Sequence, residues 1–242
     1  MFRSIRELVG YGIHATDGDI GKVADFYFDD QAWTIRYLVV DTGGWLSSRK
    51  VLVSPVALDI PQWESKTLPV KLIKEQVQNS PSIDLDKPVS RQMDEELRAH
   101  YGWQPYWEDA RAQTAARVVE KSLEEHASTG DLSLRSISEV IGYDIQASDG
   151  EMGHVADFIV NDETWIVRYI VVDTHDWLPA KEVLVSPSWA GAVAWPQRKI
   201  YMGLSREAIK NSPEFDPSVP VNREYELRLY DYYGRPKYWT KV

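Results

Sequence analysis

Residues 17–55 read DGDIGKVADFYFDDQAWTIRYLVVDTGGWLSSRKVLVSP, and residues 149–187 read DGEMGHVADFIVNDETWIVRYIVVDTHDWLPAKEVLVSP. The second stretch is the first displaced by a constant offset of 132. The offset aligns Tyr11 with Tyr143 and Trp107 with Trp239 without a gap, and about 40% of the paired positions are identical. The chain is therefore a tandem repeat with domain-sized copies. Within a copy, Gly21–Asp29 and Thr34–Thr42 are rich in β-branched and aromatic residues around an Asp29–Ala32 turn cluster, which predicts a hairpin. Lys50–Val53 reads as a third strand ended by Ser54-Pro55.

Working outward, Tyr11–Ala15 precedes an Asp17-Gly18 turn, and Leu58–Trp63 and Leu68–Leu72 flank Glu64-Ser65-Lys66. About six short strands in each copy predict a mainly β fold: two small barrels in tandem. Ser90–Tyr101 carries Met93, Leu97 and Tyr101 at helical spacing with Gly102 as a stop. The segment 108–132, rich in Ala, Arg, Glu and Lys, predicts a linker helix. The expected organisation is a first repeat at 1–107, a linker helix at 108–132 and a second repeat at 133–242, a pseudo-dimer within one chain.

The 242 residues hold 27 basic and 37 acidic side chains, a net charge of −10. That field repels phosphate backbones, so direct nucleic-acid binding is not expected. Cysteine is absent, which excludes disulfide frameworks, thiol catalysis and Cys-ligated zinc or iron–sulfur sites. No apolar run approaches the roughly 20 residues that span a bilayer, and residues 1–9 lack the apolar core of a secretory signal. The expectation is a cytoplasmic protein.

The ordered set of Asp-Gly turn, Gly21, Val-Ala-Asp-Phe, Arg-Tyr-hydrophobic and Val-Leu-Val-Ser-Pro, found twice, resembles the PRC-barrel domain family. The resemblance covers about 5–72 and 137–204. It implies a small β-barrel used as a binding module rather than an enzyme. The family includes the cytoplasmic part of the photosynthetic reaction-centre H chain and the second domain of a ribosome maturation factor that binds a ribosomal protein. One version of the function so implied is a soluble H-chain relative docking peripherally on a membrane complex. Another is a ribosome-assembly type factor, whose partner would be a basic ribosomal protein.

No hydrolase, metalloprotease, P-loop or dinucleotide motif occurs. No catalytic residue, metal site or cofactor is expected, and His14, His100, His126, His154 and His175 show no metal-ligand spacing. Asp17, Asp25, Asp30 and Asp41 recur as Asp149, Asp157, Asp162 and Asp173. A divalent-metal-dependent sensor or enzyme using the Asp loops is the third reading, although Thr16–Gly21 lacks the further ligands of an EF-hand loop. Asp25 with Arg36, and Asp157 with Arg168, are expected to pair across the hairpin.

The candidate contacts for an unidentified protein partner are aromatic. Ten Trp and 13 Tyr stand against five Phe. Trp45-Leu46 and Trp177-Leu178 follow the second hairpin strand; they are read either as exposed contacts or, for the Trp, as a cap on the barrel end. Trp107 and Trp239 lie in tails beyond the barrels, where they dock on a barrel or on the partner.

Overall fold

A computed structural model describes residues 1–46, 49–81, 91–103, 134–174 and 181–240. The chain is mainly β and forms two compact units. The N-terminal unit is Glu7–Ser138 plus Thr164–Ile166; the C-terminal unit is Met1–Arg6, Glu139–Glu163 and Val167–Val242. The linker helix expected at 108–132 lies outside the described residues.

The strands are β1 (Phe2–Ser4), β2 (Gly12–Ala15), β3 (Gly18–Asp29), β4 (Thr34–Asp41), β5 (Lys50–Val53), β6 (Thr67–Pro69), β7 (Leu134–Ser136), β8 (Asp144–Ala147), β9 (Gly150–Asn161), β10 (Val167–Asp173), β11 (Glu182–Val185), β12 (Ala190–Ala194) and β13 (Lys199–Met202). The helices are α1 (Ile5–Leu8), α2 (Lys74–Gln78), α3 (Arg91–Tyr101), α4 (Ile137–Val140), α5 (Arg206–Lys210) and α6 (Arg223–Tyr232).

In the N-terminal unit the order is β5-β4-β3-β2-β6, with β2 and β6 parallel and the other neighbours antiparallel. The C-terminal unit repeats it as β11-β10-β9-β8-β13-β12. The extra strand β12 falls where Leu58–Trp63 is expected to be a strand; there the N-terminal unit makes only the isolated bridges Leu58–Val70 and Gln62–Thr67. Residues 34–40 of β4 are all buried, so this strand shows no in–out alternation: both of its faces are covered. Val23, Phe26, Phe28, Ile35, Tyr37, Leu38, Val51 and Leu52 form much of this core, and Val155, Phe158, Val160, Tyr169, Ile170 and Leu184 are among its counterparts.

Gly21 and Gly153 are dictated by close approach. A Cβ at Gly21 would lie 2.0 Å from the Asp41 carbonyl oxygen, and one at Gly153 1.9 Å from that of Asp173. This accounts for the glycine three residues after each Asp-Gly turn.

The repeat arithmetic does not contain the exchange that completes each unit. β3 and β9 are 12 residues long, and the strands preceding them pair only with their first parts, Gly18–Lys22 and Gly150–His154. The far part of the same edge would be left open, a liability that folds cover. It is filled from the other repeat. β7 pairs antiparallel with β3, Ser136 opposite Tyr27 and Leu134 opposite Asp29. β1 pairs with β9, Ser4 opposite Ile159 and Phe2 opposite Asn161. The tip of the β9–β10 hairpin also contributes to the N-terminal unit: the Ile35 N–H donates to the Trp165 carbonyl at 2.8 Å, and the Trp165 ring stacks on Phe26.

Candidate interaction sites

The two buried-strand aspartates act at corners where an exchanged strand turns into a one-turn helix. Asp25 accepts from the Ser136 hydroxyl at 2.5 Å, the Ser138 hydroxyl at 2.7 Å and the Ser138 N–H at 3.1 Å. It also accepts from the Phe26 N–H at 2.7 Å. Asp157 accepts from the Ser4 hydroxyl, the Arg6 N–H at 3.1 Å and the Phe158 N–H at 2.7 Å. Ser4 and Arg6 are the counterparts of Ser136 and Ser138 at the offset of 132, so one latch is built twice. Each carboxylate caps the start of α1 or α4, whose first N–H groups have no partner within the helix. Burial at 7% exposure pushes the Asp157 carboxyl up, against the pull of its three donors and of Arg6. Next along the strands, Arg3 Nε meets Asp162 at 3.2 Å and Arg135 Nε meets Asp30 at 3.4 Å.

The expected Asp25–Arg36 and Asp157–Arg168 pairs do not form. In the register Asp25 lies opposite Val39 and Asp29 opposite Thr34, so Arg36 stands near the Asp29 end of the hairpin. Arg36, 1% exposed, meets Asp29 at 3.2 Å and Asp94 of α3 at 3.4 Å. Asp94 also accepts from the Tyr37 hydroxyl at 2.8 Å and from Arg98 at 3.0 Å. The C-terminal unit has Asn161 where Asp29 stands, and Glu226 of α6 where Asp94 stands. There Arg168 lies over the Tyr238 ring at 4.5 Å, while Glu226 accepts from Tyr169 at 2.7 Å and Tyr238 at 2.9 Å. Arg223 completes that cluster, 2.9 Å from Glu226. Burial pushes the Tyr37 and Tyr169 phenols far above the ordinary tyrosine range and the Tyr238 phenol up to about 12.

The remaining repeated aspartates have local partners. Asp17 accepts from the Lys74 N–H at 2.9 Å and Asp149 from the Arg206 N–H at 2.8 Å, capping α2 and α5. Asp41 accepts from the Gly43 N–H at 2.9 Å, and Asp173 faces His154 at 3.9 Å. Among the described residues no three His, Cys, Asp or Glu side chains are grouped so as to hold a metal ion. Ser54 and Ser186 end strands and cap short 3-10 turns, accepting from the N–H groups of Val56 and Ser188.

Of the aromatic candidates, Gly43–Leu46 forms a 3-10 turn directly after β4, with Leu46 half-buried. The Trp45 side chain and all of Trp107, Trp177 and Leu178 lie outside the described residues. Trp239 is held within its own unit. Its half-buried ring packs edge-on against Tyr230 at 5.1 Å and Tyr238 at 4.8 Å, with the Arg223 guanidinium 4.1 Å from its centroid. Its aromatic neighbours and the cation are supplied by α6 and by the adjacent Tyr238 of the same unit.

Sequence reasoning missed Ser4, Ser136, Arg3, Arg135 and Asp94. The first four carry a readable signal, the pair Phe2-Arg3-Ser4-Ile5 and Leu134-Arg135-Ser136-Ile137, which obeys the same offset of 132 upstream of Tyr11.

Residues 1–77 match the PRC-barrel domain family. The chain is also similar to an uncharacterized protein of Deinococcus radiodurans, 36% identical over 86 residues. That alignment covers 35% of this chain and 31% of the relative, so the chain spans about a third of the length of the curated relative it matches. No helix among the described residues is long and apolar enough to cross a membrane.

Proposed function

We propose that the protein is a non-enzymatic protein-binding scaffold made of two PRC-barrels, the second being the repeat at 133–242. The observation that carries this reading is the use to which the recurring polar residues are put. Each of the eight repeated aspartates has a local partner within its own unit: seven accept a hydrogen bond or face an Arg, and Asp173 faces the His154 imidazole. Arg36 is bound to two carboxylates for the same purpose. Residues spent on construction are not thereby poised for acid–base or metal chemistry, which supports a scaffold over a metal-dependent enzyme. The second repeat has the same strand order as the first and the same glycine approach, which supports a second barrel of the same family.

The residues proposed to meet a partner are Trp45-Leu46 and Trp177-Leu178, and a net charge of −10 favours a partner with a basic face. The protein works in the cytoplasm, the compartment that a chain without cysteine suits. The test is affinity capture from native lysate, with identification of the bound proteins, using the wild type and a Trp45→Ala/Trp177→Ala variant of unchanged circular dichroism. The expected result is one stoichiometric partner lost in the folded variant. Undiminished capture by the variant overturns the assignment of the Trp-Leu pairs, and unfolding of the variant assigns both rings to the barrel cores.

A further inference from the structure

We propose that the far edge of β9, Ile159–Asn161, is an exchangeable strand-acceptor site whose occupant in trans is the Phe2–Ser4 segment of a second copy of this chain. Three observations lead there. The first is that the acceptor edge exists because β8 is short: it pairs with β9 no further than His154, and β1 covers what lies beyond. The second is that the edge in neither unit is filled by the strand preceding β2 or β8 in its own repeat. β7 occupies on β3 the place that β1 occupies on β9, with the same Ser–Asp and Arg–Asp contacts. Donor and acceptor thus carry the same set of contacts in both pairings, each donor coming from the other repeat.

The third is that the hinge leaves the choice open. The Gly10 N–H donates to the Val23 carbonyl at 2.8 Å, placing Gly10 on the same β3 edge that β7 occupies at Tyr27. Four positions along a strand separate these points, about 13 Å, which the segment from Ser4 to Gly10 spans even with one helical turn in it. The donor thus reaches its own repeat, the sister repeat or another chain by rotation about residues 5–10, and exchange of like elements between like folds is a low-cost route to a dimer. A second copy carries the complete matching set: Phe2 for the Tyr169 ring at 6.1 Å, Arg3 for Asp162 and Ser4 for Asp157. The donor of the same chain competes at an effective concentration in the millimolar range, so occupancy in trans rises with protein concentration and with co-refolding.

The absence of native cysteine makes the site directly addressable. Phe2 and Asn161 are register partners, so a Phe2→Cys chain is mixed with an Asn161→Cys chain, unfolded in urea and refolded together at increasing concentration in a glutathione buffer. The expected result is a disulfide-linked heterodimer that grows with concentration and exceeds by at least about threefold the product of a Phe2→Cys with Ser65→Cys mixture, because the tethered arm raises the local concentration only at its register partner. The Phe2→Cys/Asn161→Cys double variant at low concentration closes within one chain. The unmodified protein, refolded at high concentration, gives a dimer by light scattering that persists after dilution. A heterodimer yield no greater than the Ser65→Cys background, with the double variant still closing internally, overturns the proposal. So does light scattering that shows only monomer from the unmodified protein after concentrated refolding.

Discussion

Replacing Asp157 separates two roles of its carboxylate at the β1–α1 corner: acceptor of three hydrogen bonds and carrier of a buried charge. Asp157→Ala strips the acceptor from the Ser4 hydroxyl, the Arg6 N–H and the Phe158 N–H. At about 1 kcal/mol for each donor left without its partner, the loss is about 3 kcal/mol. Asp157→Asn keeps an oxygen for the two N–H groups and presents its amide to Ser4, whose hydroxyl turns from donor to acceptor. Only the charge is lost, and burial already disfavours that charge, as the raised carboxyl pKa records. The amide variant should therefore stay within about 1 kcal/mol of the wild type. The assay is urea unfolding followed by tryptophan fluorescence and circular dichroism. Equal destabilisation by Asn and Ala would show that the charge is the latch, and an Ala variant as stable as the wild type would show that the corner holds nothing; either refutes the reasoning. The pH dependence adds a sign. A carboxyl whose folded pKa lies above its unfolded value contributes stability below the unfolded value, near 3.8, and loses it as pH rises through the folded one. The wild type should shed that increment on going from acid towards neutral pH relative to Asp157→Asn, provided both remain folded.

Arg36→Met leaves Asp29 and Asp94 as buried carboxylates without their shared cation and should cost about 3–5 kcal/mol in the same assay; Arg168→Met, which removes a cation from a tyrosine face, should cost about 1 kcal/mol. Gly21→Ala and Gly153→Ala force a Cβ into a backbone carbonyl and should each cost about 3 kcal/mol or more, visible as loss of soluble protein or of cooperative melting. The Tyr37 and Tyr169 phenols, raised by burial, should stay silent in a spectrophotometric titration until the fold opens. Their contribution to stability is present below the ordinary value of 10.0 and lost above it, so alkaline unfolding should be steep and coincide with their ionisation.

Much of each sheet is legible in the sequence. The hairpin residues Gly21–Asp29 and Thr34–Thr42 declare themselves by side-chain type, and β3 and β4 occupy them, β3 starting at Gly18. Ser90–Tyr101 appears as α3 within one residue. These are local preferences, in which neighbours in sequence are neighbours in space. The partner of Arg36 was not legible. A cross-strand ion pair depends on register, and the irregularities in β3 between Val23 and Asp25 and between Tyr27 and Phe28 shift it by amounts that no residue type announces. Asp94 lies on a helix 58 residues from Arg36, at a separation that pattern reading does not resolve.

The amino-acid sequence by itself determined that there are two like repeats and where the central hairpin of each stands; the carbonyl that Gly21 and Gly153 approach, and the strands β1 and β7, came only with the fold. Only the tertiary structure decided which repeat's first strand completes which sheet. The physical reason is degeneracy: Phe2–Ile5 and Leu134–Ile137 carry equivalent side chains, Asp25 and Asp157 offer equivalent acceptors, and a pattern that fits two edges equally well cannot name one of them.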